Sequence, residues 1–61
     1  MKINILMTHA PHVGEEMKLF TNGEMKTFVV VYIYREIGRY EGYKIWEIEV
    51  EPVEDGTLRH V

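Results

Sequence analysis

Apolar and polar residues alternate with a period of two through most of this chain, the spacing of a strand with one covered face. In residues 2–8, Ile3, Ile5 and Met7 fall on one side and Asn4 and Thr8 on the other. His9-Ala10-Pro11-His12 ends that run, because Pro11 has no N–H and holds Ala10 extended; Gly14 closes the loop. Asn22-Gly23 then stands between EEMKLFT and EMKTFVVVYIY. This dipeptide supplies the two positive φ angles of a type I′ hairpin, and a two-residue loop pairs Thr21 with Glu24 and Phe20 with Met25. The rival reading makes 13–20 a short helix with Glu15 and Glu16 in its first turn. So short a segment, without a Ser, Thr or Asp cap, makes a poor helix, and the hairpin is favoured.

Residues 25–36 form the longest predicted strand. Strict alternation points Phe28, Val30, Tyr32 and Tyr34 one way and Val29, Val31 and Ile33 the other. Both faces are apolar, which predicts a central strand covered on two sides. Tyr40-Glu41-Gly42 fits a three-residue loop with Gly42 left-handed. That register sets Arg35 opposite Glu47 and Tyr34 opposite Ile48, although a slip of one residue would exchange the faces. In residues 43–53, Trp46, Ile48 and Val50 oppose a row of Glu47, Glu49 and Glu51, and Pro52 marks an edge or an end. Asp55-Gly56 is a second turn signal, after which Thr57–His60 is at most a frayed stub of strand. The fold class is therefore mainly β: one domain over 1–61, a small antiparallel meander of three to five strands able to curl into a barrel. The alternative is α+β, with the one short helix at 13–20.

Composition agrees with this. Seven valines, six isoleucines and four tyrosines stand against one alanine and three leucines, a balance that suits strands. At 61 residues the core is small, supplying roughly 3–5 kcal/mol at this size. The central strand lacks a helix to cover either face, so its cover comes from curling of the sheet or from a second copy. Val29, Val31 and Ile33 are the candidate dimer interface.

The net charge of −3 lies entirely in residues 32–61, since three lysines balance three glutamates before them. This argues against a phosphate-binding surface, which needs clustered Lys and Arg. No apolar run approaches the roughly 20 residues of a membrane span, and the N-terminal stretch does not read as a signal peptide. Cysteine is absent, which fits a cytoplasmic protein.

Candidate chemistry is sparse. Without serine, glutamine or cysteine, serine and cysteine nucleophile schemes are excluded, and no cofactor motif is present. No cofactor is expected and the chain reads as a non-enzyme. His9 and His12, with Glu15 or Glu16, are weak candidates for a metal; exposed loop histidines are the plainer reading. Glu47, Glu49 and Glu51 form either a solvated strand face or an acidic patch for a basic partner. Tyr32, Tyr34, Tyr40, Tyr43 and Trp46 gather near one hairpin, and Tyr40 and Tyr43 at its tip are the better interface candidates.

In size and acidity the chain is similar to many small early proteins of bacteriophages, including inhibitors of host or defence enzymes. That comparison is of type alone and carries over no site. The expected function is protein–protein interaction, as a homodimer that binds another protein with a basic surface through Tyr40, Tyr43, Glu47, Glu49 and Glu51. The alternative is a small β-barrel regulator that binds nucleic acid.

Overall fold

The computed structural model describes residues 1–53; the turn and stub expected at 55–60 lie outside them. Four strands form one antiparallel sheet: β1 (Lys2–Met7), β2 (Glu16–Thr21), β3 (Glu24–Tyr40) and β4 (Tyr43–Pro52). The spatial order is β1-β4-β3-β2. β2, β3 and β4 follow one another as a meander, and β1 joins beside β4, so β1 and β2 are the two edges. The sheet curls into a half-barrel. Residues 16–21 are strand and not helix, as the missing cap implied.

The first hairpin has the expected register, with Thr21 opposite Glu24 and Phe20 opposite Met25. Asn22 and Gly23 take φ of 50° and 80°. At the other end of β2, Gly14 at φ 97° donates to the Val30 carbonyl at 2.8 Å, while Val30 donates to the Glu15 carbonyl at 2.9 Å. This is a bulge whose first position needs a left-handed residue, and glycine supplies it. The Glu15 N–H also donates to the His12 carbonyl at 3.0 Å, so a turn runs directly into the bulge.

The second hairpin corrects the expected loop. Tyr40 pairs with Tyr43, and the loop is two residues, Glu41 and Gly42, at φ 48° and 87°. Arg35 still meets Glu47, because one slip of register between the tip and Arg35 offsets the shorter loop, and two more follow further along β3. The breaks fall between Val30 and Tyr32, Ile33 and Arg35, and Glu36 and Gly38, leaving Val31, Tyr34 and Ile37 as bulged residues without a direct partner. Ile48 faces Ile33 and not Tyr34.

The bulges convert the period of β3 from two to three. Phe28, Val30, Ile33, Glu36 and Arg39 share the face of Pro52, Val50, Ile48, Trp46 and Lys44. Val29, Tyr32 and Arg35 share the face of Glu51, Glu49 and Glu47. Strict alternation had placed Tyr32 and Tyr34 with Phe28 and Val30; each bulge adds a residue and reverses the faces beyond it.

The core lies on the first face. Phe28, Val30, Ile48 and Val50 are buried, with Ile3, Ile5, Met17, Leu19, Ile33 and Trp46 packed against them and partly exposed. Ile48 sits between Ile3 on β1 and Ile33 on β3. Fully burying one such side chain contributes about 1.5–3 kcal/mol. Further along, the apolar face gives way to charge: Glu36 lies 3.6 Å from Arg39 and 3.9 Å from Lys44.

Candidate functional site

Three features emerge: a charged and aromatic face, a loop fastened by histidines, and a groove between the edge strands.

The glutamate row faces outward on β4, but much of its charge is answered from within the chain. Glu47 accepts from Arg35 Nε at 3.0 Å and lies 3.5 Å from Lys2 Nζ. Glu49 accepts from the Met1 ammonium at 2.7 Å and from the Tyr34 hydroxyl at 3.0 Å. The Arg35 hydrogen bond holds the Glu47 carboxyl below the ordinary carboxylate range, with Lys2 assisting. The Met1 ammonium and then Tyr34 do the same for Glu49. Reciprocally, the bond to Glu49 raises the Tyr34 phenol. Glu51 stands opposite Val29 and forms no ion pair among the described residues. The row is thus a neutralised face with one free carboxylate, not a continuous acidic patch.

Lys2 adds to this pairing from β1. It stands opposite Glu49, and its ammonium also lies 4.8 Å from the Tyr34 ring centroid, a cation–π distance. Its sequence signal is the alternation Lys2, Asn4 against Glu49, Glu47, which is visible only once β1 is placed beside β4.

The tyrosines are accessible. Tyr32 and Tyr34 meet edge to face at 4.8 Å, and Tyr32 is 56% exposed. Tyr40 and Tyr43, expected at the hairpin tip, are there, opposite each other and exposed. Val29, Val31 and Ile33 are not brought together. Val29 faces the glutamate side, Val31 is a bulged residue, and Ile33 packs on the core.

His9 and His12 do converge on one carboxylate. His9 Nε2 lies 2.9 Å from Glu15 Oε2, and the backbone N–H of His12 donates to Glu15 Oε1 at 3.1 Å. The His12 Nδ1 is 4.0 Å away. The hydrogen bond from His9 holds the Glu15 carboxyl below its ordinary range. Glu15 fastens the 8–15 loop beside the bulge. Among the described residues, no group of three or more His, Asp or Glu side chains is placed to hold a metal.

A groove of about 320 Å³ lies between β1 and β2. Ile5, Leu6, Met7, Met17 and Leu19 line it, with His9 and Glu15 at the loop end. Sequence reading missed it because it joins two strands that are not paired with each other. The indole N–H of Trp46 is buried without a hydrogen-bond partner, a cost of about 1–3 kcal/mol. Among the described residues no helix is long and apolar enough to cross a membrane.

Comparison with known protein families, with curated proteins and with solved structures finds no match to this chain.

Proposed function

We propose that this chain is a small protein-binding protein that works as a homodimer and carries no catalytic chemistry of its own. One observation carries the reading. The sheet buries few side chains fully, while six apolar neighbours on the same face stay partly exposed and, among the described residues, both edge strands remain unpaired. A second copy would supply the missing cover; of the three residues first expected at that interface, Ile33 lies on this face.

The surface for another protein is the opposite side. Tyr32, Tyr34, Tyr40 and Tyr43 expose large, rigid rings there or at the hairpin tip, the residue type enriched at binding hot spots. In its most specific form the protein is an inhibitor that covers a basic surface. The net charge of −3 supports that form, with Glu51 as the free acid of the glutamate row. The internal pairing of Glu47 and Glu49 shifts the weight from charge to the aromatic rings.

Sedimentation equilibrium on the full chain, from micromolar to near-millimolar concentration, tests the dimer. A mass of twice the 7.2 kDa chain is expected; a single-chain mass throughout that range refutes it.

A further inference from the structure

We infer that β1 and β2 are the joint between two copies: β1 of each pairs antiparallel with β2 of the other, closing two half-barrels into one eight-stranded barrel. This rests on the homodimer reading and specifies its surface.

Strand direction allows it. Neighbours run antiparallel at every step of β1-β4-β3-β2, so β1 and β2 run in opposite senses. A half-turn about the barrel axis preserves direction. It therefore brings β2 of the second copy antiparallel to β1 of the first at both joints.

Backbone hydrogen bonding agrees. The Val50 N–H donates to the Met1 carbonyl at 2.9 Å. Bonded residues alternate in an antiparallel ladder, so Ile3, Ile5 and Met7 bond to β4 while Lys2, Asn4 and Leu6 direct their N–H and C=O outward. In β2 the two-residue loop makes Thr21 and Glu24 a bonded pair, which turns Lys18 and Phe20 outward. Outward groups can bond only if even-numbered residues face even-numbered ones.

The side chains require the same register. Ile3 and Ile5 of β1, and Met17 and Leu19 of β2, lie on the apolar face. Odd must face odd to continue that face across the joint; in strands of L residues the face of a side chain fixes the direction of its own N–H and C=O, so the register that continues the apolar face also satisfies the outward backbone groups. The two strands are also equal, six residues each, and no proline or bulge interrupts either. Edges are ordinarily guarded by such devices or by lysine; Lys2 is engaged by Glu47 and Tyr34, and Lys18 on β2 is exposed with its side chain on the outer face, away from the apolar one. Eight strands enclose an interior that side chains just fill, and the apolar groove between β1 and β2 is where the second copy's side chains enter.

The test is amide hydrogen exchange by NMR on the full chain, at a concentration where sedimentation reads dimer. Asn4, Leu6, Lys18 and Phe20 are expected to exchange at least about 100-fold more slowly than unpaired amides. Asn4→Pro, which removes an outward N–H and leaves the β1·β4 ladder its donors, is expected to weaken the dimer more than tenfold. A dimer whose four amides exchange at the unpaired rate overturns this joint and leaves the homodimer reading standing on another surface. A monomer at every concentration overturns both.

Discussion

Ile33 and Tyr32 are neighbours on β3, and replacing each by threonine separates two registers. Unbroken alternation from Phe28 puts Tyr32 in the core and Ile33 outside. The slip between Val30 and Tyr32 puts Ile33 opposite Ile48, which is fully buried, and leaves Tyr32 56% exposed. Threonine keeps the β-branched backbone preference, so the contrast reads burial. Ile33→Thr removes apolar volume from a packed site, at about 0.8 kcal/mol per CH₂. It also places a hydroxyl there, at about 1–3 kcal/mol. For a buried site the sum is about 2–4 kcal/mol, and the partial exposure of Ile33 brings the expected loss to about 2 kcal/mol. Tyr32→Thr loses half-exposed area and an edge-to-face contact, about 1 kcal/mol. At about 4–8 °C per kcal/mol for a domain this small, thermal unfolding by circular dichroism should show Ile33→Thr falling well below Tyr32→Thr. A larger loss for Tyr32→Thr would mean that β3 has no such bulge in solution and that the assigned faces are reversed.

Gly14→Ala should cost about 1–3 kcal/mol in urea unfolding. Nothing lies within 4 Å of the added Cβ, so the loss is backbone strain at φ 97°, and Gly38→Ala, in ordinary contact with Ile45 at 3.7 Å, should lose much less. Glu15, Glu47 and Glu49 are all held below their ordinary range. Their stabilisation is therefore present above about pH 4–5 and lost as pH falls through the folded values; carboxyl NMR titration should find all three titrating low, and ordinary values would contradict the pairing. The raised Tyr34 phenol has the opposite sign: its contribution is present below about pH 10 and lost as pH rises through the folded value. Glu49→Gln should bring the phenol down in a ring-carbon titration, and no movement would exclude the bond to Glu49.

Local signals carried the strands. Asn22-Gly23 specified its hairpin to the residue, because both of its positions favour positive φ. Glu41-Gly42 did not: only glycine announces such a turn, and Glu41 adopts φ 48°, which its side chain does not advertise. The bulges at Val31, Tyr34 and Ile37 were equally hidden. Valine, tyrosine and isoleucine are ordinary strand residues, and only the curling sheet makes three of them surplus. The glutamate row was legible as a row and Arg35 as the partner of Glu47, but the rest of its neutralisation comes from Met1 and Lys2, far off in sequence and adjacent only after β1 pairs with β4. The histidine pair was legible as a cluster. Its use as a loop fastening follows from Glu15 standing in the bulge next to Gly14.

The most direct test of the edge-joined dimer uses a mixture of isotopically labelled and unlabelled chains, with methyl NOEs filtered for contacts between copies. Contacts from Ile3 and Ile5 of one chain to Met17 and Leu19 of the other are predicted. A dimer whose intermolecular contacts lie only on the tyrosine face, or a spectrum without any, would contradict the account.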